Sequence, residues 1–336
     1  MKEMLIIFLL LILTATEAAS QTDDDCHLYA VLISGGRNKM LNHERYWNDC
    51  SLLFSTLRHT YHLPKQHIVV VMSDGGNPAA DMLKSDGTGF ANSPADLDGD
   101  GDIDVFFPAT RQDVGRVLQS MAVQLGRDDH LFLFLIDHGG LDEQWGEPYV
   151  YLWNDERLRA SELRELLGRF RVGTMSLLLG QCYAGGFLTA LQGHNRVVAA
   201  ACGGDELSWV CEDLPYDEFV YHWTCAVAGT DLDGFGVDAD ADGDGRVSMS
   251  EAFACAARRD RRPETPQYNS QPATLGDRWS FWGVRSESDG VSEVVADAAP
   301  PAAVFSLSGI RHAGQSAGRR SLYISRQGGR VRKILK

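Results

Sequence analysis

Positive charge is scarce in this 336-residue sequence: 31 Lys and Arg stand against 46 Asp and Glu, for a formal charge of −15. Binding a nucleic-acid backbone needs clustered cations to neutralise phosphate, so a nucleic-acid partner is excluded. Long apolar runs are scarce too. The one candidate, Met4 to Leu13 behind Met1-Lys2-Glu3, is shorter than a bilayer span, and small residues follow from Ala15 to Ser20. That pattern predicts a secretory signal peptide over residues 1–20, cleaved near Ala19 or Ser20, and no stable membrane span. Hydrophobic residues at 44% and charged residues at 23% are ordinary globular proportions, and the chain is long enough to bury a large core.

Two short apolar runs carry the chemistry. Leu131 to Ile136 ends in Asp137-His138-Gly139-Gly140, and Met175 to Leu179 ends in Gly180-Gln181-Cys182-Tyr183-Ala184-Gly185-Gly186. Short glycine-bounded runs of this kind predict buried strands of a mostly parallel sheet with a polar loop at each carboxyl end, where ligands bind. Between them, Ala160 to Leu167 has apolar residues at helical spacing, enough for a strand-helix-strand crossover. His138 and Cys182 then face each other across the mouth of the sheet as base and nucleophile. The glycines permit close approach of a substrate carbonyl, and backbone amides around Gly139 and Gly180 are the expected oxyanion donors.

Strand-His-Gly followed by strand-x-Cys, with His138 44 positions upstream of Cys182, resembles the caspase-haemoglobinase fold of cysteine peptidases, whose caspase members place the His about 50 residues upstream. Asp137-His138-Gly139 stands as in the legumain-like peptidases, while Gly180-Gln181-Cys182 replaces their more acidic approach to the nucleophile. The first strand, Tyr29 to Ser34, and Arg45-Tyr46-Trp47-Asn48-Asp49 are similar to the family's first specificity segment. The resemblance spans about Leu28 to Trp282 and implies a cysteine endopeptidase acting on proteins or peptides. It places Arg45 and Asp217 in the first specificity pocket, with Asn42 and His43 nearby; the second acid of that pocket falls at Gly180 and is missing. A lone Asp217 would accept a basic substrate side chain with Arg45 paired elsewhere, or the two residues form an ordinary salt bridge. The expected architecture over residues 26–284 is a three-layer α/β/α sandwich with a mostly parallel sheet. Helices are expected near Glu44 to His59, Arg111 to Leu125 and Asp217 to Ala228, and strands near Ile68 to Met72 and Arg196 to Ala201.

Acidity concentrates in two loops. Asp240 to Glu251 matches the EF-hand calcium loop at each defining position: Asp240, Asp242 and Asp244 supply carboxylates, Gly245 the turn, Arg246 a backbone carbonyl and Glu251 the closing carboxylate. Asp96, Asp98, Asp100 and Asp104 form a weaker second candidate, because Phe107 occupies the position of the closing Glu. Structural Ca2+ is therefore the expected cofactor, with no organic one.

Cysteine is limited to seven positions. Without Cys182 there remain Cys26, Cys50, Cys202, Cys211, Cys225 and Cys255, an even number that permits disulfides without fixing their connectivity. Cys202 and Cys211 are close enough in sequence to staple one loop, and Cys225 reads as a buried free thiol.

Residues 285–303, rich in Ser, Asp, Ala and Pro, read as a linker. Beyond it, residues 304–336 alternate apolar and polar residues as a small β-rich domain. Val304-Phe305-Ser306-Leu307-Ser308-Gly309, Leu322-Tyr323-Ile324 and the basic finish resemble the sorting domain of the bacterial type IX secretion pathway. That resemblance implies outer-membrane secretion machinery as a partner and a secreted or cell-surface location. A catalytically silent calcium-binding recognition protein and a transpeptidase of the same fold are the alternatives.

Overall fold

Seven strands form the central sheet: β1 (Leu28–Ser34), β2 (Ile68–Met72), β3 (Val105–Phe107), β4 (His130–Ile136), β5 (Thr174–Leu179), β6 (Arg196–Ala200) and β7 (Gln267–Gln271). Their spatial order is β7-β6-β5-β4-β1-β2-β3, parallel throughout except for β7, which runs antiparallel to β6 at one edge. The computed structural model describes residues 27–285 and the tail segments Ala303–Ser306, Arg311–His312, Leu322–Gln327 and Arg330–Leu335. The expected signal peptide, Cys26 and nearly all of the linker lie outside the described residues.

From Leu131 to Ile136 and from Thr174 to Leu179 every residue is buried, as a parallel strand covered on both faces requires. On one face, Ala30, Leu32, Phe132, Phe134 and Ile136 pack against α1 (Glu44–Ser55), α4 (Glu218–Ala228) and α5 (Met249–Arg259). On the other, Val31, Ile33, Leu131, Leu133 and Leu135 pack against α2 (Arg111–Gln124) and α3 (Ala160–Leu167). The result is the expected three-layer α/β/α sandwich. Alternation along each strand sends successive side chains to opposite helical layers.

The expected helix from Glu44 to His59 ends earlier as an α-helix, at Ser55, and widens into a π turn over Thr56–Thr60. α2 begins where Thr110 accepts a hydrogen bond from Asp113 N–H, an N-cap that satisfies one of the free amides of the first turn. After β4 the chain makes a three-stranded antiparallel sheet, Gly139–Leu141, Pro148–Tyr151 and Arg157–Arg159, before entering α3. Among the described residues no helix is long and apolar enough to cross a membrane.

The contacts divide the chain between Val284 and Arg285. In the tail, the four described segments form an antiparallel sheet with Ala303–Ser306 between Arg311–His312 and Leu322–Gln327, which in turn pairs with Arg330–Leu335.

Candidate active site

Parallel pairing in register brings the two motifs together. His130 pairs with Thr174 and Leu135 with Leu179, and the Gly180 N–H donates to the Leu135 carbonyl at 2.9 Å. Asp137-His138-Gly139 and Gly180-Gln181-Cys182 therefore emerge side by side at the carboxyl edge. The backbones touch: a Cβ on Gly139 would lie 2.0 Å from the Cys182 carbonyl oxygen. Only glycine fits there.

The half-buried His138 ring has its Nε2 3.2 Å from the Leu41 carbonyl oxygen. A carbonyl only accepts, so Nε2 carries the proton and Nδ1 is left as the basic nitrogen. His43 and Tyr46 pack edge-on against the ring, with centroids 5.3 and 5.6 Å away. Burial, followed by the nearby Arg45 charge, pushes the His138 pKa down to about 4. The imidazole is therefore neutral at neutral pH. Asp137 is buried beneath it, and its carboxylate accepts the Arg37 and His138 amides, fixing the loops on either side.

Cys182 precedes Tyr183, which has a left-handed backbone (φ 60°) before a short 3-10 turn at Ala184–Phe187. The thiol is half-buried and accepts a hydrogen bond from Ser208 Oγ at 3.6 Å. Ser208 lies on a loop pinned from both sides: Tyr183 N–H donates to Glu206 O (2.8 Å), and Trp209 N–H to Glu264 Oε2 (3.1 Å). Neither Ser208 nor Leu41 has a sequence motif; both arrive by tertiary packing.

The oxyanion expectation needs correcting at one residue. The Gly180 amide is engaged by Leu135 inside the sheet, and its Cα packs against Val220 and Ile136, where a Cβ would come within 2.7 and 2.9 Å. Gly139 differs. Tyr151 N–H donates to His138 O and Asp142 N–H to Glu147 O, so by antiparallel alternation Gly139 and Val150 form a non-hydrogen-bonded pair. The Gly139 N–H thus points off the ladder, beside Cys182.

Arg45 and Asp217 are paired with each other, not apart: Arg45 Nε lies 3.2 Å from Asp217 Oδ2, and its Nη2 donates to Tyr46 Oη at 2.8 Å. Burial opposes the Arg45 charge, but Asp217, Tyr46 and Asp49 together outweigh it and the guanidinium is held protonated. The Asp217 amide in turn donates to both oxygens of the buried Asp49 at 3.3 Å. Burial, then the Asp217 charge, raises Asp49 well above the usual carboxylate range. Asp49 is a second acid beside Arg45 that the Gly180 alignment did not anticipate. The adjoining cleft of about 560 Å3 is lined by His43, Arg45, Asp86, Cys211, Glu212 and Asp213. Asn42 is buried next to it and donates to Ser73 and Asp81.

The six described cysteines are all free thiols. Cys202 and Cys211 are therefore not stapled; the Cys202 thiol donates instead to the Gln181 and Glu206 carbonyls at 3.5 Å. Cys225 is buried and free.

Away from this site, Asp240, Asp242 and Asp244 bring carboxylate oxygens within 4.8 Å of one another, as do Asp96, Asp98 and Asp104. Glu251 accepts the Ala241 and Asp242 amides with one oxygen and Ser248 with the other, and the Arg246 amide donates to Asp244. Asp100 accepts the Asp102 amide and faces Lys65. Both triads are all-oxygen donor sets, as calcium prefers.

Among solved structures, the chain is similar to a crystal structure of a protein from Geobacter sulfurreducens, with 14% identity and a TM-score of 0.45, covering 77% of this chain and 99% of that one. No curated protein matches it. The model of the Peptidase C13 family matches residues 28–233, which span β1 through both dyad motifs and α4, and the chain belongs to that family of cysteine peptidases and transpeptidases.

Proposed function

We propose that the protein is a cysteine endopeptidase in which His138 is the base and Cys182 the nucleophile. The observation that carries this reading is the Leu41 carbonyl bound to His138 Nε2, which leaves a neutral Nδ1 at the strand edge shared with Cys182. In the reaction His138 Nδ1 takes the thiol proton and the sulfur attacks the substrate carbonyl. The amides of Gly139 and Cys182 hold the oxyanion, and His138 returns the proton to the departing amine. Water then repeats the sequence on the thioester, releasing the acid and the free thiol. An amine in place of water gives transpeptidation.

Arg45 and Asp217 line the first specificity pocket in this reading, and the Glu212 and Asp213 rim favours polar or basic side chains. Calcium at Asp240, Asp242, Asp244, the Arg246 carbonyl and Glu251 stiffens the entry to α5, supported by the loop's match to the EF-hand pattern. Export by the amino-terminal signal and the type IX-like tail belongs to the same proposal.

The test is cleavage of a mixed peptide library by the purified protein and by Cys182→Ala, each with calcium and with chelator. A peptide-directed thiol alkylator serves as a second readout. Cleavage and labelling that disappear in Cys182→Ala support the peptidase, and mass analysis of products separates hydrolysis from transpeptidation. Absence of both, before and after removal of the tail, overturns it in favour of a recognition module.

A further inference from the structure

Residues 96–104 repeat four of the side-chain-to-backbone hydrogen bonds that shape the loop at 240–248. Gly99 N–H donates to Asp96 Oδ1 (2.7 Å), Gly101 N–H to Asp96 Oδ2 (2.9 Å), Asp100 N–H to Asp98 Oδ1 (3.3 Å) and Asp102 N–H to Asp100 Oδ1 (2.8 Å). The counterparts run from Gly243 and Gly245 to Asp240, from Asp244 to Asp242 and from Arg246 to Asp244, at 2.7 to 3.1 Å. The sequence objection to the first loop was Phe107 in place of a closing Glu. The structure answers it with Asp104. In the later loop Glu251 accepts the Ala241 amide at 2.8 Å; in the earlier one Asp104 Oδ2 accepts the equivalent Leu97 amide at 2.7 Å. Asp104 thereby takes the place of the closing carboxylate three residues early, and a carboxylate oxygen of Asp104 lies within 4.8 Å of one from Asp96 and one from Asp98.

Backbone pattern alone does not make a metal site, but the buried oxygens point to one. The Asp98 and Asp104 side chains are fully enclosed (0% exposed). Asp98 Oδ2 accepts no hydrogen bond; His59 Nε2 lies 3.5 Å and Arg58 Nε 3.9 Å from it. Asp104 Oδ1 meets Lys65 Nζ at 2.7 Å, an ion pair without hydrogen-bond geometry. A buried carboxylate oxygen left without a hydrogen bond is costly. A divalent cation removes that cost for several oxygens at once.

We propose that Asp96, Asp98 and Asp104 hold a calcium ion that draws Asp104 Oδ1 away from Lys65 and acts as a clip on α1. Hard oxygen donors on a loop, with no imidazole or thiolate among them, select calcium over zinc or copper. The loop is tied to α1 by Trp47 Nε1 to Pro94 O (2.8 Å) and Ser51 Oγ to Leu97 O (2.6 Å). That helix also carries Arg45, Tyr46 and Asp49 into the candidate active site. The ion thus braces the outer face of the helix whose inner face packs on His138. The proposal does not rest on the peptidase reading, because its test uses protein without the nucleophile.

The experiment is calorimetric titration of CaCl2 into metal-free Cys182→Ala protein that also carries Asp240→Asn and Asp242→Asn, which silence the later loop. One bound calcium is expected at millimolar concentrations or below, with a rise in melting temperature on addition. Adding Asp98→Asn and Asp104→Asn is expected to abolish that binding; each Asn keeps an oxygen for the loop amides, and far-UV circular dichroism checks the fold. Lys65→Met, tested separately, removes the competing ammonium and is expected to tighten calcium binding about tenfold. No bound ion in the silenced protein, unchanged stoichiometry after the Asp98 and Asp104 substitutions, or unchanged affinity in Lys65→Met overturns the proposal.

Discussion

The Leu41 carbonyl oxygen orients His138 from 97 residues away in sequence, at 3.2 Å from Nε2. A main-chain acceptor in this place cannot be removed by changing a side chain, so the protonation pattern of the ring is built into the loop after β1. Cys182→Ala is expected to reduce kcat by at least about a thousandfold, and His138→Ala by about a hundred- to ten-thousandfold. Steady-state peptide cleavage measures both.

Ser208 touches the thiol and nothing else in the proposed reaction path. Because its hydroxyl donates to Cys182 Sγ at 3.6 Å, Ser208→Ala is expected to slow iodoacetamide labelling of Cys182 about three- to tenfold at neutral pH. Equal labelling rates would remove the Ser208 hydroxyl from the site and leave only its carbonyl, to which the Cys182 thiol donates at 3.8 Å.

The acid limb of kcat/KM is expected near pH 4 rather than 6.5, since burial and then Arg45 lower His138 to about 4. Replacing Arg45 by Met removes the second of those causes and moves the limb upward. A pH-rate profile of both proteins decides it, and a limb that stays in place would leave burial, with the Arg37 charge, as the cause.

Stability should fall on both sides of neutrality for separate reasons. His43 and His138 are each lowered to about 4, so the unfolded chain binds more protons between about pH 6.5 and 4 and the fold weakens as pH falls through that window. Glu264 is raised to about 10 by burial, then by Asp260; its contribution is complete below about pH 4.5 and is lost as pH rises toward 10. Glu264→Gln is therefore expected to flatten the alkaline decline in melting temperature and, because the same loss already runs from about pH 4.5, to steepen the acid decline between about pH 4.5 and 6.5.

Gly139→Ala places a methyl carbon against the Cys182 carbonyl. Overpacking of this kind costs about 1–3 kcal/mol, and here it separates the two strand ends as well. Lowered melting temperature with loss of cleavage is the expected pair of results.

What could be read from residues alone was whatever a strand end announces locally. The buried runs into His138 and Cys182, the crossover helix Ala160–Leu167 and the helix at Arg111 all carry their pattern within a dozen residues. Leu41 and Ser208 carry none, because each acquires its place only when distant elements pack; Tyr46 and Asp49 stand in a recognisable segment, but their contacts with His138 and with the Asp217 amide come from packing. Gly180 misled for a related reason: direction along the ladder, which a glycine does not reveal in sequence, separates an amide held by Leu135 from one free to meet substrate. The Arg45 and Asp217 pairing, across 172 residues, was legible as two charges but not as one bond.

The in-register pairing of β4 with β5 also separates spatial from chemical continuity. Between His138 and Cys182 the chain passes through the antiparallel hairpin whose turn, Glu143 to Gly146, is exposed, with Trp145 69% accessible. Because sheet hydrogen bonds rather than the connecting backbone hold His138 to Cys182, a single cut in that turn leaves a two-chain molecule with its reactive groups still aligned. A gel that shows two fragments would therefore be no sign of a dead protein.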